Sequence, residues 1–227
     1  TEALDKFDQD HLSTFEKEGV EPKKVQGAIM AIDPKTGAIR VMVGGRDFKE
    51  TKFNRAVQAK RQAGSSFKPF VFTAAIDTKQ MTPATELEDE QMVYVFDGNK
   101  WELVSRNLSY VEVLAEKMTP EELIDPMKIW YPVNYGGRYR GNVLLREALA
   151  RSLNTCAIEV IDKITPNVVI DYARKMGIKS PLTNTLSLAL GSSDVTLQEM
   201  VSSFGTLASG GVRTEPYFIT KVIDKSG

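Results

Sequence analysis

The sequence predicts an α+β fold, an antiparallel sheet packed with helices, with strands at both ends of the chain and helices between them. Three observations carry this reading. Residues 26–33 and 38–43 are strand-like stretches joined by the turn sequence Asp33-Pro34-Lys35-Thr36-Gly37. Residues 67–75 and 144–164 carry apolar side chains at helical spacing. Residues 217–224 again read as a strand, so the expected sheet pairs strands from the two ends of the chain. With 227 residues, the chain can form one large domain or two small ones.

Taken in order, residues 4–18 read as a short amphipathic helix with Leu4, Phe7, Leu12 and Phe15 on its apolar side. Gly44-Gly45 ends the hairpin, and residues 47–63 read as a loop. A helix then opens near Gly64-Ser65. Phe67, Phe70, Val71, Ala74 and Ala75 form its buried stripe, and Pro69 is tolerable only in the first turn. Residues 81–142 are irregular and punctuated by Pro83, Pro120, Pro126 and Pro132, with a short helix opening at 119–123. Helices follow at 144–151 and 155–164. Thr165-Pro166 starts another, which Gly177 ends. Thr196-Leu197-Gln198-Glu199 is a capping box. The helix it opens carries Met200, Phe204 and Leu207 and closes at Gly210-Gly211.

Composition excludes several classes of function. A hydrophobic share of 42% and a charged share of 26% are ordinary for a globular chain. A net charge of −1 implies no strong field for nucleic acid, and no nucleic-acid partner is expected. No apolar run is long enough to span a bilayer. Thr1-Glu2-Ala3-Leu4-Asp5 resembles no signal peptide, and a start without Met is expected of a fragment or a processed chain. There is one histidine, His11, and it lies in a charged segment with Asp8, Asp10, Glu16 and Lys17, which argues against a Ser-His-Asp site. The single cysteine, Cys156, allows no disulfide within the chain and reads as a small buried residue. Ligands for a zinc site are lacking, so no metal or other cofactor is expected.

The chemistry-bearing stretch is Gln62-Ala63-Gly64-Ser65-Ser66-Phe67-Lys68-Pro69-Phe70. Ser65 and Lys68 stand three apart at the start of an apolar helix and so share a face. A buried lysine has a lowered pKa and can take the serine proton, the S-x-x-K arrangement of active-site serines. An N-cap serine beside a solvated lysine would give the same four residues. A second motif, Ser152-Leu153-Asn154, falls between two predicted helices. Side chains two apart on one helix diverge, so the backbone must break there for both to reach one cleft. Alternatively, one of them merely caps the second helix.

Beyond these motifs the chain resembles the transpeptidase domain of class A penicillin-binding proteins over most of its length. The resemblance runs through Gln26-Gly27-Ala28, Gly44-Gly45-Arg46-Asp47, Phe53-Asn54-Arg55-Ala56 and Arg61 to Phe70. It continues through Trp130, Pro132-Val133-Asn134-Tyr135, Leu145 to Thr155, Leu188-Ala189-Leu190-Gly191 and Ala208-Ser209-Gly210-Gly211. The segment 96–129 is longer than the usual family linker.

The resemblance implies a peptidoglycan-cross-linking D,D-transpeptidase with the penicillin-binding protein and serine β-lactamase type of fold. It implies that Ser65 is the nucleophile and that Lys68 is its base. Ser152 would relay a proton, and Asn154 would hold substrate and orient Lys68. The Ser65 N–H would supply half of an oxyanion hole. The implied partners are D-Ala-D-Ala stem peptides and β-lactams, with no nucleic acid, and a membrane only through an N-terminal anchor absent here. The implied location is extracytoplasmic. The family also uses a third motif, lysine, serine or threonine, glycine, on a strand lining the cleft. Lys35-Thr36-Gly37 precedes the nucleophile and sits in a turn, and Lys225-Ser226-Gly227 follows Asp224 in another turn-like stretch. Neither fits, so residues 1–25 are expected to be a lead-in and 26–227 a domain incomplete at its C-terminus, its remainder a necessary partner. The competing readings are a serine β-lactamase or β-lactam sensor, for which no deacylating glutamate is identifiable, and a non-catalytic scaffold.

Overall fold

The computed structural model describes residues 2–18, 24–106, 112 and 128–224. In chain order, α1 is Glu2–Glu18, β1 Ile29–Ile32, β2 Ile39–Val43 and β3 Lys60–Gln62. A 3₁₀ turn over Gly64–Phe67 leads directly into α2, Lys68–Asp77. Five short strands follow: β4 Glu86–Asp89, β5 Met92–Phe96, β6 Trp101–Arg106, β7 Ile129–Trp130 and β8 Gly141–Leu144. Then come α3 Leu145–Ala150, α4 Asn154–Ile164, α5 Pro166–Met176, a 3₁₀ turn Leu186–Leu190, β9 Asp194–Thr196 and α6 Leu197–Ala208.

The chain divides into two compact units. The first comprises residues 1–62, 173–181 and 194–227. Within it β1 and β2 pair antiparallel across the Asp33–Gly37 turn, where the Gly37 N–H donates to the Asp33 carbonyl at 2.8 Å. The predicted hairpin is therefore present, with shorter strands, and Lys35-Thr36-Gly37 lies in its turn. α6 packs on β1. Its capping box is built as expected: the Glu199 N–H donates to Thr196 Oγ1 and the Thr196 N–H donates to Glu199 Oε2. β3 pairs with β9, a pairing the sequence reading missed because each strand is three residues long.

Two expectations fail in this unit. Residues 218–224 form no strand; Tyr217 makes one bridge to Ala38 and the segment beyond it is irregular. Phe218, Ile219, Val222 and Ile223 are all exposed, so their strand-forming composition finds no ladder among the described residues. The single sheet joining both chain ends is accordingly replaced by several sheets of two or three strands. The K-S-G stretch at 225–227 lies outside the described residues.

The second unit comprises residues 63–172 and 182–193. Its centre is α2, where Phe70, Val71, Phe72, Ala74 and Ala75 are all buried. Burial runs around the helix rather than along the single predicted stripe, as expected for a helix apolar on every side. α2 packs against α4, whose residues Thr155 to Ile161 are buried without a break. Around them lie β4 paired with β8 and a three-stranded sheet in the order β6-β5-β7, in the region that read as irregular. The short helix expected at 119–123 lies outside the described residues.

Candidate active site

All four candidate site residues belong to the second unit; its packing sets Lys68 against Ser152 and Asn154 and places Ser65 on the cleft that those two line. Ser65 sits in the 3₁₀ turn and Lys68 is the first residue of α2. In a 3₁₀ turn residues i and i+3 eclipse, so the motif keeps serine and lysine on one side. Gly64 enters this turn at φ +57°, a backbone region that costs glycine little. Its N–H donates to the Gly191 carbonyl at 3.2 Å. Gly191 (φ +70°) approaches so closely that a Cβ there would stand 2.2 Å from the Gly64 oxygen. The nucleophile turn thus rests on the backbone of the Leu188-Ala189-Leu190-Gly191 stretch.

The backbone break required at Ser152-Leu153-Asn154 is present. α3 ends at Ala150 and α4 begins at Asn154. Between them the Leu153 N–H donates to the Ala148 carbonyl and the Ser152 N–H to the Leu149 carbonyl, both at 3.0 Å. This is a Schellman closure, and Ser152 fills the left-handed position (φ +55°) that glycine ordinarily takes. The serine holds its place at a cost of about 1 kcal/mol of backbone strain, and in return an exposed hydroxyl faces the cleft.

Lys68 is 1% exposed. Its ammonium donates to the Ser152 carbonyl at 2.5 Å, to Ser152 Oγ at 3.1 Å and to Asn154 Oδ1 at 2.6 Å. Three acceptors match its three donors. Asn154 is held from its other end, Nδ2 donating to the Val133 carbonyl at 2.7 Å. Burial disfavours the charged amine and brings the Lys68 pKa down to about 8, against a small opposing effect from Cys156. Cys156, 0% exposed, has its thiol pushed up to about 12 by burial and then by the charges of Asp89 and Glu159, so it is an inert core residue as predicted.

Ser65, Ser152 and Asn154 open onto one cleft of about 730 Å³, lined also by Val133, Asn134, Tyr135, Gly136 and Arg151. The sequence reading missed Asn134 as a site residue. Its signal was its place in the Pro132-Val133-Asn134-Tyr135 stretch; its Oδ1 accepts from the Asn154 N–H at 2.7 Å. His11 lies in the first unit, stacked on Phe7 within α1. Among the described residues no cluster of His, Cys, Asp or Glu could hold a metal ion.

The fold and this cleft define a serine site of the S-x-x-K type. A family model described as the penicillin-binding protein transpeptidase domain matches residues 27–124. Penicillin-binding protein 1A of Neisseria lactamica is 35% identical over 209 residues, 92% of this chain and 23% of the relative. Penicillin-binding protein 1A of Pseudomonas aeruginosa is 36% identical over 203 residues, 89% of this chain and 21% of the relative. Among solved structures, penicillin-binding protein 1A from Haemophilus influenzae superposes with a TM-score of 0.73 at 29% identity, covering 92% of this chain and 27% of that one. The chain thus carries a match to the penicillin-binding protein transpeptidase domain over residues 27–124 and is similar to these penicillin-binding proteins 1A over most of its own length. It spans less than a quarter of the length of the two curated relatives.

Proposed function

We propose that this chain carries the serine and lysine half of a peptidoglycan D,D-transpeptidase site. The observation that carries the reading is the buried Lys68 amine, held by Ser152 and Asn154 at the cleft onto which Ser65 opens. Neutral Lys68 takes the Ser65 hydroxyl proton as Ser65 Oγ bonds to the penultimate D-Ala carbonyl carbon of a stem peptide. The oxyanion that forms is met by the Ser65 N–H. Collapse breaks the peptide C–N bond, and the proton passes from Lys68 through the Ser152 hydroxyl to the leaving D-alanine nitrogen. Asn154 holds the donor strand and the lysine. An amine of a second stem peptide then attacks the ester, Lys68 and Ser152 move its proton back to Ser65 Oγ, and the cross-link leaves.

A β-lactam presents a strained amide to the same serine. Its leaving group stays attached to the acyl chain, so it gives a lasting ester. No Asp or Glu lines the cleft among the described residues, which favours a slow-deacylating transpeptidase over a β-lactamase that must activate water. The family's third motif and the second oxyanion donor belong to a further segment of the same domain, which is the site's necessary partner. The substrate puts the site of action outside the cytoplasmic membrane. Among the described residues no helix is long and apolar enough to cross a membrane.

The test is D-alanine release and cross-linked dimer formation from a D-Ala-D-Ala stem peptide by the full-length protein. The parental enzyme releases D-alanine and forms dimer, and Ser65→Ala does neither. Release at the parental rate by a folded Ser65→Ala variant would remove Ser65 from the nucleophile's role.

A further inference from the structure

A buried chain of polar contacts runs from the cleft to a carboxylate that no motif includes. Asp89, the last residue of β4, is 0% exposed. Its Oδ1 accepts from Asn134 Nδ2 at 2.6 Å and from the Thr155 hydroxyl. Its Oδ2 accepts from the Arg140 N–H at 3.0 Å. Asn134, 4% exposed, turns its Oδ1 the other way, accepting from the Asn154 N–H at 2.7 Å and the Thr155 N–H at 3.4 Å. These are the first two amides of α4, whose preceding residue, Leu153, provides no side-chain cap. Asn154 then accepts from Lys68.

We propose that Asp89 is a positioning residue for acyl transfer: its buried carboxylate fixes the orientation of the Asn134 amide, and through it the place of Asn154 and of the Lys68 amine. The inference rests on the transpeptidase reading above. A side-chain amide has a donor end and an acceptor end, and either can face a given neighbour. A carboxylate only accepts, so it draws the donor end of Asn134 towards itself at 2.6 Å, the shorter of that amide's two donor contacts, the other being to the Arg138 carbonyl at 3.1 Å. That leaves the acceptor end for the α4 amides, where it satisfies donors that would otherwise be orphaned at a helix start. Were the amide reversed, its NH₂ would face two backbone N–H groups, and Asn154 would lose its anchor 2.7 Å away. The Asn154 oxygen that meets the lysine would shift with it.

Asp89→Asn keeps the shape and removes this polarity, since one oxygen becomes a donor. Combining Asp89→Asn with Asn134→Asp restores it towards position 89 and α4, though the Arg138 carbonyl, which accepts from Asn134 Nδ2 at 3.1 Å, loses its donor. In that exchange the amide introduced at position 89 donates to the carboxylate introduced at position 134, and this carboxylate still accepts from α4. The readout is the first-order acylation constant with a fluorescent penicillin on the full-length protein, together with the fraction of molecules labelled. Merely structural damage lowers the fraction labelled and leaves the rate of the folded molecules unchanged. The expected result is an acylation constant lowered about tenfold or more at an unchanged labelled fraction, since small displacements of a reacting group cost that much. The exchange variant is expected to recover part of the loss, the lost donor to the Arg138 carbonyl accounting for the rest.

A parental rate in Asp89→Asn overturns the proposal. If the Asp89 variants do not fold, Thr155→Val decides. It removes one donor to the carboxylate and should slow acylation about threefold, the size of one net hydrogen bond, whereas a parental rate overturns the proposal. A parental protein that takes no label overturns the transpeptidase reading instead.

Discussion

In the proposed mechanism Lys68 is the residue on which acylation turns, because its burial decides whether it can act as a base. An amine in water, with a pKa near 10.5, would be protonated at neutral pH; burial in the second unit brings this one to about 8. Only the neutral form accepts the Ser65 proton, so acylation should rise with pH through about 8 and level off above it. Below that value the rate should fall roughly tenfold per unit as the amine becomes charged. Stopped-flow acylation between pH 6 and 9.5 measures this; a flat profile would remove Lys68 as the base.

The same shift acts on folding. A lysine whose folded pKa lies below its unfolded value holds its proton less tightly in the native state. It therefore weakens stability below about 8, a penalty that fades as pH rises from 8 towards 10.5. The four catalytic candidates were legible in the sequence because each motif spans three or four residues. Asn134 and Asp89 were not, because Asn134 contacts residues 20 and 45 positions away, distances that no local pattern records.

At the scale of elements, the join of α3 to α4 carries the second motif. Its Schellman closure needs a left-handed residue, and glycine would fill that place without strain. Ser152→Gly relieves about 1 kcal/mol of backbone strain but removes the Oγ that accepts from the buried Lys68 amine, so no net gain in stability is expected, while acylation should slow because the proposed proton relay is lost. Acylation rates and thermal melts on one preparation test this; an unchanged rate, or a clear rise in stability, would contradict it. The break itself could be anticipated, as could the ends of α5 and α6, since caps and glycine stops are local signals. Strands β3 to β9 could not. They are two to six residues long, and most pair far along the chain, as β4 does with β8 and β3 with β9; β5 and β6 are neighbours joined by residues 97–100, a local hairpin that the reading of 81–142 as irregular missed. The apolar run at 217–224 erred in the opposite sense, because strand-forming side chains make a strand only where a ladder exists to receive them.

For the molecule as a whole, an ordinary composition and a near-neutral charge narrowed the choices only by exclusion. One histidine and one cysteine argue against a histidine triad and the usual His/Cys metal sites, so a serine enzyme here would need a non-histidine base, for which Lys68 is the candidate. All four candidate site residues lie in the second unit. The α+β class stands, with helices and antiparallel strands throughout. The central claim is that Ser65 becomes covalently acylated. The most direct test is the intact mass of the full-length protein after incubation with benzylpenicillin, followed by peptide mapping. The account predicts one lasting adduct of one drug molecule, located on Ser65 and absent from Ser65→Ala. A folded protein that forms no adduct, carries it elsewhere, or consumes the drug without retaining it would contradict the account.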